Sequence, residues 1–285
     1  MTMLKLVRRM RDEPPLIGFI VQGAIFPLAV GGLQQLLSDV DLSPKSYRTL
    51  LSELMAWDIN RDFVRAIQFE RVFVIVICDW MYRKASRKAL NELSKMSDPV
   101  QPQVNLAFWI GSKHNLIASN ELKLLKHYEA ILRLARESVP YSWERLKQLE
   151  EQWLWEVGRS VKVLNLGNVQ VIWDENFVAK FLMPTYSNFF NRAASFHDLQ
   201  RLTQVAIALR MYLRERGHYP ETLRELTPKY LPSVSLDPFD GKPLRHKRLK
   251  QGFKVWSVGQ DFKDDGGVEG KPRWVKGDIV WEALK

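Results

Sequence analysis

Val255–Gly267, which reads VWSVGQDFKDDGG, is the stretch that decides the fold of the C-terminal part of this chain. It begins with an alternating apolar run, the pattern of a half-buried β-strand, and then breaks into aspartates and glycines. A second short run, Asp278–Trp281, lies further along the chain. The two runs predict strands joined through a tight acidic loop, and the sharpest functional expectations concern that loop.

Two strands are predicted just before and within this stretch. Leu244–Leu249 and Phe253–Val258 read as a hairpin whose turn lies near Gly252. The first of these strands carries a row of cationic side chains, which we interpret as an exposed face that protects a sheet edge from aggregation. The row consists of Arg245, His246, Lys247, Arg248 and Lys250.

A long helix is predicted upstream of the hairpin. Apolar residues recur at helical spacing from about Ser195 to Arg216, and Gly217 comes next as a C-terminal cap. Three turn signals then succeed one another along the chain. They are Tyr219-Pro220, Leu231-Pro232, and Asp237-Pro238 with Asp240-Gly241, in which aspartate side chains hydrogen-bond the local backbone.

This order of motifs resembles the C-terminal globular domain of protein G, the major pseudopilin of type II secretion systems. In that family a helix ends in a Gly-x-Tyr-Pro turn, and an Asp-Pro-aromatic-x-Gly-x-Pro turn leads into a small antiparallel sheet. The resemblance covers roughly residues 196–281, and its specificity lies in the order of the motifs. The segment Arg11–Ile17 is also similar to uncharacterised bacterial proteins that carry this domain without a pilin leader.

The resemblance implies a calcium ion in the acidic loop, because hard oxygen ligands suit Ca²⁺. The implied ligands are the Val258 carbonyl, Asp261, Asp264 or Asp265, and Asp278. The chain departs from the family in two ways: Trp281 comes two residues after Ile279 rather than three, and Lys263, Lys271 and Lys276 add positive charge. The alternative is a hairpin turn whose carboxylates only cap local N–H groups.

The region before residue 190 has helical periodicity. Ser43 is expected to cap a helix with Pro44 at its first position, and Asp62 is expected to begin the next helix. Val157–Trp173 is less helical and is predicted to form a loop with a short strand. The predicted fold class is therefore α+β, with a mainly helical array at 1–190 and, at 195–285, a long helix packed on a small antiparallel sheet.

Residues 16–37 form an apolar stretch that allows two interpretations. It reads as a membrane helix flanked by the basic residues Lys5, Arg8, Arg9 and Arg11, or as a helix buried in a helical domain. The short segment ahead of it is consistent with a shortened chain. We find none of the leader features of a pseudopilin in order, so we do not expect this chain to act as a pilin subunit.

Composition sets broad limits on function. The 285 residues are 46% hydrophobic, which is enough for a sizeable core, and the net charge of +10 is divided between +4 in residues 1–200 and +6 in residues 201–285. Because neither part is a basic tail, a nucleic-acid partner is not favoured. The single cysteine, Cys78, lies in an apolar run and can form no internal disulfide.

Catalytic motifs do not stand out in the sequence. It contains no Gly-x-Ser-x-Gly elbow, no phosphate-binding glycine loop and no histidine pair at metal-binding spacing. His197 is the best acid–base candidate, but we interpret it as a polar helix residue.

The sequence therefore predicts a non-enzymatic structural or interaction protein of the bacterial envelope, at the inner membrane or its periplasmic side, with a protein partner. A cytoplasmic location is the alternative. A soluble binding module would instead use the aromatic residues of 104–190 to hold a peptide or lipid in a groove. A third class is an unrecognised hydrolase that uses His197 or the acidic loop.

Overall fold

The structure is a computed structural model that describes residues 16–84, 116–158, 161–166, 169–183, 185–270 and 277–284. Its helices are α1 (Leu16–Asp39), α2 (Pro44–Met55), α3 (Ile59–Lys84), α4 (Leu116–Arg136), α5 (Trp143–Gly158), α6 (Phe177–Leu182) and α7 (Ser187–Arg216). Its strands are β1 (Val161–Leu166), β2 (Val169–Asp174), β3 (Arg245–Leu249), β4 (Gly252–Ser257) and β5 (Ile279–Leu284). The predicted α+β class is confirmed, since a mainly helical region precedes a long helix and a small antiparallel sheet.

The chain divides into two compact units that are not contiguous in sequence. The first unit contains Met1–Ala66, Ala135–Tyr141 and Asn188–Lys285, and the second contains Ile67–Leu134 and Ser142–Ser187. The predicted domain boundary between residues 190 and 195 stays a prediction. The division into compact units describes how the residues pack, and it does not show which segments fold on their own.

Helix starts depend on local capping chemistry. The Ser43 side chain accepts a hydrogen bond from the Ser46 N–H (3.1 Å), and Pro44 opens α2, as predicted. The predicted start of α3 at Asp62 is wrong, because the helix begins at Ile59 and the Asp58 side chain accepts the Arg61 N–H (2.9 Å). The Asp62 carboxylate accepts the indole N–H of Trp57 (3.0 Å) instead.

The core of the first unit is built around Phe196 of α7. Its ring centroid lies 4.8 Å from that of Phe26 in α1 and 5.0 Å from that of Trp57, which lies just beyond α2. All three rings are buried. The Gln200 amide, one turn further along α7, donates to the Leu54 carbonyl (2.7 Å) and the Trp57 carbonyl (2.8 Å), so it satisfies backbone acceptors at the end of α2.

The sheet of the first unit has the strand order β3-β4-β5, with both pairs antiparallel. The predicted hairpin is confirmed, because Leu249 pairs with Gly252 across its turn and Arg245 pairs with Trp256 at its open end. Gly252 has φ 132°, a conformation that side chains rarely adopt, which explains glycine at this turn. At the other edge, the Gln34 amide of α1 donates to the Glu282 carbonyl of β5 (3.0 Å).

The second unit contains helices and a separate hairpin. β1 and β2 pair antiparallel from Val161↔Asp174 to Leu166↔Val169, so the expected single strand within Val157–Trp173 is corrected to two. Asn120 of α4 donates to the Glu175 carbonyl (2.7 Å) and accepts the Ala179 N–H (3.0 Å), which ties α6 to α4.

Cys78 is fully buried in this unit, as expected for a small hydrophobe, and burial raises the pKa of its thiol to about 12.

α1 is the predicted apolar helix. It has 24 residues and a mean hydropathy of 2.0 in its most apolar window, so by length and composition it could cross a membrane. Within that window 44% of the residues are buried in the protein. One face of α1 therefore belongs to the core, while the other face is exposed.

Candidate functional site

The acidic loop runs from the end of β4 to the start of β5. A 3-10 turn, Gly259–Asp261, leads into it. Gly259 has φ 69°, and a Cβ placed there would lie 2.7 Å from the Gly277 carbonyl oxygen. The two ends of the loop thus approach each other so closely that only glycine fits between them.

Asp278, at the β5 end of the loop, is a buried residue that accepts hydrogen bonds from backbone groups earlier in the loop. Its side chain is almost fully buried, with one oxygen accepting the Asp265 N–H (3.2 Å) and the other accepting the Gly267 N–H (2.6 Å). Its own N–H donates to the Val268 carbonyl (3.1 Å). Burial raises the pKa of the Asp278 carboxyl, although the backbone donors Gly267 and Asp265 act in the opposite direction.

Asp261 and Asp264 also act as acceptors for nearby donors. The two Asp261 oxygens accept the N–H groups of Lys263 (3.2 Å) and Gly277 (3.1 Å). One Asp264 oxygen accepts the Trp256 indole N–H (2.9 Å) and the Gly266 N–H (3.1 Å). The indole hydrogen bond is the main reason that the pKa of Asp264 lies below its ordinary value.

The remaining implied ligands are placed differently. Val258 is buried, and its N–H donates to Asp237 (2.9 Å), whereas Asp265 is exposed. Within the described part of the chain, no group of three or more His, Cys, Asp or Glu side chains is arranged to hold a metal ion. The structure brings the five residues into one loop, where three of the carboxylates accept N–H groups. Calcium binding stays a prediction.

Asp237, in the Asp-Pro turn, is the buried residue that links the loop to the rest of the domain. Its carboxylate accepts the Phe239 N–H (2.9 Å), the Val258 N–H (2.9 Å) and the Ser257 hydroxyl (3.0 Å). The Arg245 guanidinium donates to it as well (2.5 Å). The sequence predicted only the local turn bond, because the other partners come from the sheet.

Arg245 corrects the predicted cationic row. Its side chain is mostly buried and pairs with Asp237 (2.5 Å), with Asp240 (2.5 Å) and with Asp264 (3.4 Å). His246 is likewise partly buried, whereas Lys247, Arg248 and Lys250 are exposed. The row is therefore divided between an internal ion-pair network and a solvent-facing set.

Asp198 of α7 lies near Asp237 in the interior. It is fully buried, and neither of its oxygens has a hydrogen-bond donor among the residues that the structure describes. The Ser257 hydroxyl donates to Asp237 (3.0 Å). Burial and the charge of Asp237 raise the pKa of Asp198 well above its ordinary value, although the nearby Ser257 hydroxyl, Arg201 and Arg245 act against this. Burial therefore favours the protonated form of Asp198 in the folded protein.

His197, the acid–base candidate, is also buried. Burial, and secondarily the charge of Arg201, lower its pKa to about 3, so the imidazole is neutral at neutral pH. Only 8% of the residue is exposed. A substrate in solution would not reach this imidazole in the described conformation.

A cleft of about 440 Å³ lies between α4 and α5 in the second unit. Among the described residues no aromatic side chain lines it, so this cleft does not correspond to the groove expected for residues 104–190. Its lining consists of Lys126, Glu129, Ala130, Arg133, Arg145, Gln148, Leu149 and Gln152.

A comparison of the chain with protein families, with curated proteins and with solved structures finds no match. The fold and the geometry of the site are therefore the grounds on which a function can be proposed.

Proposed function

We propose that this chain is a non-enzymatic structural and interaction protein of the bacterial envelope, with a C-terminal domain like that of the type II secretion protein G. The order of its elements supports this proposal. A long helix, an Asp-Pro turn and a three-stranded antiparallel sheet follow one another, and the acidic loop leads into the last strand of that sheet. Fold-level likeness supports a class of domain and leaves the partner open.

The observation that carries the proposal is an exposed apolar face on α3. Val72, Phe73 and Val76 are about half exposed, and Phe69 and Trp80 lie on the same side at helical spacing. Charged residues of the same helix, Arg65 and Asp79, are exposed as well. Apolar side chains flanked by charges in this way are typical of a surface that binds another protein.

The polar residues of the first unit support a non-enzymatic protein as well. Asp237 and Asp278 hold backbone donors in place, while Asp198 and His197 are buried away from solvent. The carboxylates of the loop thus have a structural role in this proposal. Calcium belongs to it as well, held by the Val258 carbonyl, Asp261, Asp264, Asp265 and Asp278, where it would supply a positive charge that joins the loop's oxygens.

A photo-reactive amino acid at position 73 or 76 tests the interaction. In cells that express the native gene we expect discrete cross-linked products at both positions, and the same probe at Lys147 serves as the control. Lys147 is exposed on α5 and has a polar side chain. Equal cross-linking at all three positions would mean that the α3 face has no specific partner.

The cleft between α4 and α5 favours a second function, a binding module for an acidic peptide. Three cationic side chains line it against the single carboxylate of Glu129. Arg133 already pairs with Glu129 (3.5 Å), which leaves less charge for a ligand. Titration of a poly-glutamate peptide with the wild type and with Arg145→Ala would test this function, and equal affinity would argue against it.

A further inference from the structure

The outer face of α1 is exposed but apolar, whereas a water-facing helix surface is normally polar or charged. Ile17 is 70% exposed and Leu28 is 66% exposed, and Val21 lies between them on the same side. Residues 16–38 contain no charged side chain. A helix that is apolar on all sides is normally buried in protein or in lipid. This helix is only half buried, so its outer face has no partner in the described structure.

The inner face of α1 packs in the core of the first unit. Phe19 and Phe26 pack on Phe196 of α7, with ring centroids 5.9 Å and 4.8 Å away. Near the other end of the helix, Gln34 donates to the Glu282 carbonyl at the edge of β5 (3.0 Å). If α1 spanned a bilayer in this arrangement, a sheet edge would lie in hydrocarbon, where unpaired backbone groups are costly.

We infer that α1 binds flat against an anionic membrane surface, with Ile17, Val21 and Leu28 inserted among the lipid headgroups and the protein covering the opposite face. This inference rests on the proposed envelope location and specifies how the chain reaches the membrane. In an isolated interfacial helix, a charged face points to water. In this protein the first unit covers the inner face of α1, so the rest of that unit, and not a charged helix face, lies on the water side.

Charge favours lipid over a protein as the occupant of this face. Four basic residues, Lys5, Arg8, Arg9 and Arg11, precede the helix in sequence together with two acidic ones, Asp12 and Glu13, so the segment has a net positive charge. A basic segment next to an apolar helix is attracted by anionic headgroups. A protein interface would carry a polar rim around its apolar centre, as the α3 face does with Arg65 and Asp79, and α1 has no charged rim within residues 16–38.

Vesicle co-sedimentation of the full chain tests the inference. We expect the wild type to bind phosphatidylcholine vesicles that contain phosphatidylglycerol and to bind pure phosphatidylcholine weakly. The variant Ile17→Gln/Val21→Gln/Leu28→Gln should lose on the order of tenfold in binding, since apolar area drives interfacial partitioning. The matched control, Met55→Gln/Leu122→Gln/Leu154→Gln, removes three comparably exposed apolar side chains from other helices and should bind like the wild type.

Circular dichroism melts of each variant show whether it is folded. Binding of the α1 variant equal to that of the wild type would overturn the inference, as would a wild type that binds neither kind of vesicle.

Insertion depth separates a flat helix from a spanning one. A fluorophore is attached in a Cys78→Ala background to Ile17→Cys or Leu28→Cys and quenched by lipids that carry a quencher at known depth. Equal, shallow depths support the flat orientation, and a label at 28 much deeper than one at 17 overturns it.

Fractionation of cells distinguishes a failure of the inference about α1 from a failure of the proposed envelope location. If wild type and α1 variant both stay with the envelope, the inference fails while the envelope location stands. If the wild type is recovered in the cytosol, the location itself fails.

Discussion

At the scale of single residues, two buried carboxyl groups have opposite roles in the first unit. Asp237 accepts hydrogen bonds from the turn, the sheet and Arg245, so its partners compensate the loss of water. Asp198 is buried with no such donor among the described residues. A group in that situation is most stable when it is neutral, which makes Asp198 a source of pH dependence.

Asp198→Asn should stabilise the protein at neutral pH. The folded-state pKa of Asp198 lies above its unfolded value, so its contribution to stability is fully present below the unfolded pKa of about 3.9 and is lost as pH rises through the folded pKa. Each unit of difference amounts to about 1.4 kcal/mol. Asparagine cannot ionise, so the melting temperature of the variant should exceed that of the wild type by an amount that grows with pH.

The control is Asp39→Asn, which replaces an exposed carboxylate of the same unit. Its melting temperature should track that of the wild type across the same pH series. If Asp198→Asn is less stable than the wild type at every pH, burial does not disfavour the charged form of Asp198 as its raised pKa implies.

At the scale of secondary-structure elements, helix ends and turns that depend on neighbouring residues could be predicted from the sequence. Contacts between elements that are distant in sequence could not. The Ser43-Pro44 helix start, the Gly217 helix end and the Asp237-Pro238 turn depend on neighbours in sequence, and the structure has all three. The start of α3 was misplaced because Asp58 caps it rather than Asp62.

The candidate site was predictable only in part, for the same reason. The acidic residues were found as a cluster, because they are close in sequence. The Asp198–Asp237 proximity and the inward position of Arg245 arise from contacts between α7, the Asp-Pro turn and β3, which no local pattern specifies. The prediction for Arg245 failed because strand alternation alone does not say which face an ion-pair partner occupies.

Gly259→Ala should destabilise the acidic loop. The residue has φ 69°, and the new Cβ would meet the Gly277 carbonyl oxygen at 2.7 Å, so both strain and a clash oppose the change. We expect a loss of about 2 kcal/mol or more in the free energy of unfolding, measured by urea denaturation. Gly31→Ala is the matched control: a Cβ there has no neighbour within 4 Å, and alanine should stabilise the helix by roughly 0.5–1 kcal/mol. Equal effects at the two positions would argue against a tight loop closure.

Calcium should raise the melting temperature if the loop binds it. A ligand held only by the folded state adds about 2.7 kcal/mol at a hundred times its Kd. We expect a higher melting temperature in calcium than in chelator for the wild type, and a smaller difference for Asp278→Asn. Magnesium serves as the control ion, because its smaller octahedral shell fits a different ligand set. A melting temperature that is identical in calcium and chelator would leave the carboxylates with their hydrogen-bonding role alone.

At the scale of the whole molecule, the C-terminal domain shares its core with the N-terminal helices. Phe196 of α7 packs on Phe26 of α1 and on Trp57, and Gln200 bonds the end of α2. The sheet edge at β5 is met by Gln34 of α1. The first unit thus combines the predicted domain 195–285 with residues that precede it by more than a hundred positions.

A fragment of residues 195–285 should therefore be less stable than the same residues within the chain. Without α1 and α2, Phe196 and its apolar neighbours on α7 would face water, at a cost of roughly 25 cal/mol for each Å² of apolar surface. We expect a broad, low-temperature melt for this fragment by circular dichroism. A second fragment that joins 16–66 to 188–285 through a flexible linker restores the partners of Phe196 and should melt cooperatively at a higher temperature. If residues 195–285 melt cooperatively at the temperature of the joined fragment, the C-terminal domain folds independently and the contacts with α1 add little to its stability.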